Sequence, residues 1–394
     1  MKIKLLLYTH DWFPLMGGIQ TITTDLASGL VQKSQANPQD AVDVTLVTHT
    51  PAAGMNDAAL PFPIVRQPDK RTLVRLFRSA DIVHLAGPSL LPLALGYTLR
   101  KTIVLEHHGY QSVCPNGLLL YEPDRTICPG HFMASNYQKC VRCNAGSLGW
   151  MKSARDVLLT FPRRWLAKQV TVNVAVSRHI GMRTSLPRTK VIYHGVPGPP
   201  PVPRLAPQAA SAEPPFCFAY VGRLVIEKGV PVLLRAASEL LKQGYRFELK
   251  IVGDGSQRSE LEKMTSEYGL GGCATFFGAV SVADVTKILG PAQVVVMPSV
   301  WEDVAPLVAI EQMMQGRLVI ASDIGGLGET VTGAGLKFPP NDDAGLAECM
   351  RWAMEDPART RELGNKARQI ASEKFTLSRM VEEHLQLYQS LMRH

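Results

Sequence analysis

Residues 294–311 read VVVMPSVWEDVAPLVAIE. The run Val294–Met297 is a short apolar stretch of strand length, and Pro298-Ser299 closes it. Proline is at home in a first helical turn, so a helix begins at about Pro306 and carries Leu307 through Glu311. Strand, loop and helix in that order are one step of a parallel sheet covered by helices. The loop holds two acids, Glu302 and Asp303, and Glu311 stands two turns inside the helix. A loop carboxylate can accept from sugar hydroxyls and one on the helix from ribose hydroxyls, while free amides at the helix start face a ligand. The local alternative is a helix cap at Asp303 with Glu311 on a solvated face.

The same alternation extends in both directions. Phe216–Val221, Phe247–Val252, Ala274–Phe277 and Leu318–Ala321 read as further strands of the series. Upstream, Ile3–Tyr8, Val42–Val47, Ile82–Leu85, Ile103–Leu105 and Val170–Val176 form an earlier one, with Ile19, Ile22, Leu26 and Leu30 at helical spacing between them. Between the two series lies PGPPPVPRLAPQAASAEPP, too rich in proline for a helix or a central strand. The expectation is an α/β chain of two doubly wound, Rossmann-like domains. They cover residues 1–196 and 216–375, joined by a linker at 197–215, with a last amphipathic helix within 376–394 packing back onto the first domain. In such sheets ligands sit outside the carboxyl ends of the strands, and two facing domains put the site in the cleft between them.

Bulk properties narrow the function. The 394 residues carry a net charge of +8, unevenly placed. Residues 1–196 hold 22 Lys+Arg against 11 Asp+Glu, and the remainder holds 20 against 23. A basic half attracts phosphates or an anionic surface, but no paired Cys/His finger or aromatic-glycine motif points to nucleic acid. The apolar start stops at Tyr8, too early for a signal peptide. The stretch Ile82–Leu99 is broken by His84, Pro88 and Pro92 and reads as strand, turn and helix, not a membrane span. A cytoplasmic enzyme is expected.

Two further motifs fall where these sheets bind ligands. Gly17-Gly18 stand between the first strand and its helix, where a phosphate can approach the backbone at the positive helix end. Gly222-Arg223 and Glu227-Lys228-Gly229 follow the first strand of the second domain. Two fixed cations there suit a diphosphate leaving group, whose charge grows as the bond to it breaks. An ion pair to Glu227 is the equal alternative for either cation.

In these ordered motifs the chain resembles the retaining glycosyltransferases of family 4, the group 1 transferases with the GT-B fold. The resemblance covers nearly the whole chain and is strongest from Tyr220 to Glu329. Val252-Gly253-Asp254-Gly255, Phe277-Gly278 and Asp323-Ile324-Gly325-Gly326 fall where that family has similar turns. It implies a nucleotide-diphosphate sugar as donor, UDP or GDP undecided, and a glycan or lipid-linked acceptor. Arg223 and Lys228 would bind the diphosphate, with Gly17 and Gly18 approaching it and Gly222 beside it. Glu311 would bind the ribose, and Phe277 and Gly278 would lie near the base. Asp303 would bind the sugar with the amides of Val304, Ala305, Pro306 and Leu307, proline supplying none of its own. His108 would sit beside the reacting sugar.

Two positions depart from the family pattern. Asp303 replaces a usual glutamate, one methylene shorter, and Gly109 follows the histidine where aspartate is frequent. A strand alternates its faces, so only one of His107 and His108 can face the site, and motif position favours His108. Glu302 is expected to face solvent or a local partner. No carboxylate nucleophile is evident, so retention implies front-side attack, with the leaving phosphate accepting the acceptor's proton. No cofactor is required for this chemistry, and the sequence has no DxD triplet for a catalytic cation. The rival readings are a nucleotide-sugar epimerase of the same fold and a non-catalytic sugar-nucleotide-binding subunit.

Four of seven cysteines cluster directly after His108: Cys114, Cys128, Cys140 and Cys143. Their closing C-x2-C suggests structural zinc, set against free thiols or a redox pair. Farther along, Lys152, Arg155, Arg163, Arg164 and Lys168 flank Val157, Leu158, Leu159, Phe161, Trp165 and Leu166, in a helix that Pro162 interrupts. Arg71, Arg75 and Arg78 recur at helical spacing on another segment. Basic residues beside aromatic and aliphatic ones suit an anionic membrane surface, hence a peripheral enzyme on the inner face of the cell membrane.

Overall fold

The computed structural model describes residues 2–14, 17–37, 39, 41–198 and 215–393. The chain divides into two compact units, Met1–Pro197 with Phe375–His394, and Gly198–Lys374. Most of the proline-rich stretch expected as a linker lies outside the described residues.

The first unit holds strands β1 (Ile3–Thr9), β2 (Val42–Thr48), β3 (Ile64–Arg66), β4 (Ile82–Ala86) and β5 (Thr102–His107). A small hairpin follows, β6 (Leu120–Tyr121) and β7 (Thr126–Ile127), and then β8 (Val172–Ala175) and β9 (Thr189–Val191). Its helices are α1 (Gly18–Ala36), α2 (Lys70–Ser79), α3 (Leu90–Thr98), α4 (Tyr137–Leu148), α5 (Trp150–Gln169) and α6 (Arg178–Thr184). Seven strands form one sheet in the order β3-β2-β1-β4-β5-β8-β9, all parallel. Its middle strands are near-continuous apolar runs, because both faces are covered: of Ile3–Thr9 only Lys4 is exposed. Leu6, Val83 and Leu105 meet Phe77, Leu93 and Leu166 from the helices in one core.

The second unit holds β10 (Phe216–Val221), β11 (Phe247–Val252), β12 (Ala274–Gly278), β13 (Val294–Met297), β14 (Leu318–Ser322) and β15 (Leu336–Phe338). Its helices are α7 (Val230–Lys242), α8 (Arg258–Glu267), α9 (Val282–Ile288), α10 (Leu307–Met314), α11 (Gly325–Val331), α12 (Asp343–Glu355) and α13 (Pro357–Lys374). The sheet order is β12-β11-β10-β13-β14-β15. Phe218, Leu233, Ile251, Val296, Ile320 and Met350 share its core.

The last helix, α14 (Leu377–Leu391), belongs to the first unit. Thr376 bridges Val196, Lys33 on α1 pairs with Glu382, and Arg379 donates to the Tyr193 carbonyl at 3.0 Å. The reading of Pro162 as a break is corrected: it lies inside α5. The carbonyl it leaves unmatched belongs to Leu158, whose surroundings are open to water, with Leu158 67% and Phe161 42% exposed.

Candidate active site

Both sheets reverse their order of growth at one place, between β1 and β4 and between β10 and β13. The loops leaving such neighbouring strands diverge and open a crevice at their carboxyl ends. Gly17-Gly18 follow β1, Gly222, Arg223 and Lys228 follow β10, and Asp303 to Leu307 follow β13, while His108 follows β5 and Phe277-Gly278 end β12.

In the second unit, Gly222 and Arg223 follow β10. The Tyr220 hydroxyl donates to the Arg223 carbonyl at 2.8 Å and fixes the turn. Burial, then the Asp303 charge, push that phenol's pKa up. Arg223 is open, its side chain 68% exposed, and meets Glu227 loosely, at 3.5 Å. Lys228 ends a short 3-10 turn, Ile226–Lys228, and is half-buried. Gly229 follows in the left-handed region at φ 66°, and a β-carbon there would overlap the Pro298 carbonyl oxygen. Glycine is therefore required for the turn to lie against the loop after β13.

That loop carries Trp301, Glu302 and Asp303, and all three are buried. Asp303 is not a helix cap: α10 starts from Pro306 with no side-chain cap, and Asp303 Oδ2 instead accepts from Lys228 Nζ. The ammonium also stands 5.6 Å from the Trp301 ring centre. Glu302, expected to face solvent or a local partner, is 8% exposed, because Gly325 and Gly326 from the turn after β14 close over the loop. A β-carbon on Gly325 would sit 2.7 Å from the Asp303 carbonyl oxygen, and one on Gly326 would overlap that of Val304. The Gly326 amide donates to the Asp303 carbonyl at 2.6 Å. Val304 and Pro306 are buried, Ala305 and Leu307 partly so, and Glu311 is exposed on α10. Phe277 is 37% exposed at the end of β12, and Gly278 accepts from the Gly253 amide at 2.9 Å. The geometry thus gathers an exposed guanidinium, an ammonium, a buried carboxylate and an uncapped helix start.

In the first unit, Gly17 caps α1 and Gly18 opens it. A cavity of about 230 Å³ lies at the carboxyl ends of β1, β4 and β5, lined by Thr9, Asp11, Ser89, His108, Gln111 and Arg163 among others. Of the neighbours His107 and His108 it is His108 that lines it, and His10, which the sequence did not single out, lines it too. His107 points the other way, bonded to Asn173 at 2.8 Å, and burial drives its pKa down to about 4.

Behind His108 lies a network the sequence did not reveal. Glu106 is 2% exposed and sits among four imidazoles. His84 Nε2 is 3.0 Å from Oε2, His108 Nε2 3.5 Å from Oε2, His194 Nε2 3.7 Å from Oε1 and His384 Nε2 4.0 Å from Oε1. The Tyr388 hydroxyl is 2.6 Å from His84 Nδ1. Burial opposes the charge on Glu106, but His108, His194 and His84 outweigh it and hold its pKa well below the usual range. Burial lowers the pKa of His194 and of His384, that of His384 to about 4. In sequence His84 appeared only as an interruption in an apolar run. Its partners come from β5, from the segment after β9 and from α14, so no local pattern signals them.

Comparisons with known proteins agree with this arrangement. Residues 203–370 match the glycosyl transferases group 1 family. The chain is 28% identical to alpha-D-kanosaminyltransferase of Streptomyces kanamyceticus over 174 residues, 44% of this chain and 45% of that protein. It is also 28% identical to the glycogen synthase of Mycobacterium tuberculosis over 249 residues, 61% and 59% of the two. The match thus spans about half the length of these relatives. Among solved structures, Anabaena Alr3699/HepE in complex with UDP and glucose aligns at a TM-score of 0.70 and 18% identity, over 98% of this chain and 100% of that one. The fold is α/β, of the GT-B class.

Proposed function

We propose that the chain is a family 4 glycosyltransferase that moves a sugar from a nucleotide-diphosphate sugar to an acceptor hydroxyl with retention of configuration. The observation that carries this reading is the pairing of Lys228 with Asp303 beside the open Arg223. A phosphate-binding cation and a hydroxyl-binding carboxylate stand side by side, as a sugar diphosphate presents its own groups. Arg223 and Lys228 neutralise the leaving diphosphate, which gains charge as the bond from C1 to its oxygen breaks. Asp303 accepts from sugar hydroxyls, with the amides of Val304, Ala305 and Leu307 nearby, while Glu311 takes the ribose and Phe277-Gly278 border the base. Gly17 and Gly18 approach the phosphates, and His108, steadied by Glu106, serves the reacting sugar. The acceptor oxygen forms its bond to C1 on the face the phosphate leaves, and its proton passes to that phosphate. No cofactor is needed for these steps.

The match of residues 203–370 to the group 1 transferases and the UDP and glucose held by the Anabaena protein support a nucleotide-sugar donor. A thermal-shift panel of nucleoside diphosphates tests it: at 100 times its dissociation constant the right nucleotide stabilises by roughly 2.7 kcal/mol. No shift with any nucleotide would remove the reading.

For the acceptor we infer a lipid-linked or envelope glycan, reached by peripheral attachment to the inner face of the cell membrane. No helix among the described residues is long and apolar enough to cross a membrane. Support comes from Trp150, Met151, Leu158 and Trp165, which are 65%, 87%, 67% and 50% exposed on the same helix as Lys152, Arg155 and Lys168. Tyr97 on α3 packs edge-on against Trp165, ring centres 5.1 Å apart, and extends the patch. Aromatic and aliphatic side chains ringed by cations suit an anionic bilayer. Salt-sensitive sedimentation with anionic vesicles is the test, and absence of binding at low ionic strength refutes the attachment.

A further inference from the structure

The segment between His108 and α5 has a small core: besides its cysteines, Tyr110, Val113, Leu119, Leu120 and Phe132 are its buried apolar side chains. It also has sulfur. The Cys128 amide donates to the Leu119 carbonyl at 2.7 Å, beside the first strand of the hairpin. Cys114 lies in the turn before that hairpin, its amide donating to the Tyr110 carbonyl at 2.8 Å. Cys140 and Cys143 are three residues apart on α4, so they share one helix face. Cys114, Cys128, Cys140 and Cys143 all line one cavity of about 10 Å³, together with His131, Asn116 and Asn144.

We propose that these four cysteines hold a single zinc ion that fastens α4 to the β6–β7 hairpin. Three observations carry it. The set is four thiols, the donor type that zinc takes in closed structural sites. The cavity has the room of about one water-sized sphere, enough for one ion and too little for an iron–sulfur cluster. Cys143 Sγ already receives N–H donors, the Glu122 amide at 3.4 Å and Asn116 Nδ2 at 3.5 Å. Such donors support a metal-bound thiolate from its outer side. Among the described residues, the ligand groups already gathered within 4.8 Å are two others, both around Glu106, so the thiols must turn about their Cα–Cβ bonds to close on the ion. Each thiol releases its proton to solvent on binding, so affinity rises with pH. His131 lines the same cavity but stands edge-on to Tyr121 at 5.3 Å.

The site would also serve the cavity at His108. Gln111 lines that cavity three residues before Cys114, so an ion at Cys114 holds its backbone. The test uses the full chain purified without chelators. Elemental analysis should give about one zinc per chain, and exchange with cobalt(II) should give the absorption of a tetrathiolate site. Stripping with a thiol-mercurial should release the zinc and open the 114–143 segment to protease before the rest of the chain. Cys143→Ser should lose the metal. If that variant does not fold, the wild-type metal count and cobalt spectrum decide alone. Less than about 0.1 equivalent of metal with four alkylatable thiols overturns the proposal, as do disulfides, iron with a visible chromophore, or a three-thiolate, one-imidazole spectrum.

Discussion

Replacing Lys228 by alanine should damage both stability and catalysis, and the two effects can be separated. The Lys228 side chain is 18% exposed and pairs with Asp303, 9% exposed, beneath the Trp301 ring. Truncation leaves a buried carboxylate without its cation. Losing one partner of a fully buried pair costs about 3–5 kcal/mol, and the remaining exposure of Lys228 reduces this to roughly 2–3 kcal/mol by solvent screening. For a unit of this size that is a fall of roughly 5–10 °C in melting temperature. The assay is a double-mutant cycle by thermal unfolding with Lys228→Ala, Asp303→Asn and the double variant. The double variant should recover most of the loss, with a coupling energy above about 1 kcal/mol. Glycosyl transfer, measured well below the melting point, should fall by about 10²–10³ in Lys228→Ala and stay lost in the double variant. A single variant that melts like wild type, or a double variant with purely additive losses, refutes the reasoning.

Other consequences are equally concrete. Gly326→Ala should destabilise the second unit by about 2 kcal/mol or more, since its methyl overlaps the Val304 carbonyl oxygen and only backbone movement relieves it; a wild-type melting curve would contradict this. Asp303→Asn should cut turnover while nucleotide affinity, read by calorimetry, barely moves, whereas Glu311→Gln should weaken nucleotide binding itself. His107 and His384 are held near pKa 4, below the value of about 6.5 they have unfolded, so the unfolded chain binds more protons as pH falls. Stability should be full above about pH 6.5 and drop toward pH 4, and a melting temperature flat across that window would show these imidazoles to be solvated. Tyr388→Phe, far along the chain on α14, should shift the pH profile of transfer through the path Tyr388–His84–Glu106–His108; an unchanged profile would leave Tyr388 a purely packing residue.

Much of this was legible because buried parallel strands are simple signals. Val294–Met297 and Phe216–Val221 are apolar runs whose bounds in the structure are those expected. Strands β3, β9 and β15 escaped because they have three residues each and lie toward the sheet edges, where burial is partial and no apolar run is required. The glycines and cations of the proposed donor site were visible as motifs, since close backbone approach and diphosphate chemistry would restrict residue type locally. The partners were not. Lys228 and Asp303 are 75 residues apart, and His84 meets Tyr388 across 304, so neither contact has a local signature. Of the two surroundings expected for Glu302, solvent or a local partner, it lacks the solvent for the same reason: what covers it is Gly325-Gly326, on the next strand's loop.

The central claim, retaining transfer from a nucleotide sugar, is tested most directly by proton NMR of the reaction itself. The protein is incubated with each of a set of UDP- and GDP-sugars and a lipid-glycan acceptor fraction, and the anomeric signal is followed. The account predicts that one donor loses its phosphate-coupled anomeric doublet while a glycoside signal of the same anomeric configuration appears, with Arg223→Ala slowing this by about 10²-fold or more. A product of inverted configuration would contradict the retaining mechanism. A nucleotide sugar that epimerises or hydrolyses without forming a glycoside would contradict transfer altogether.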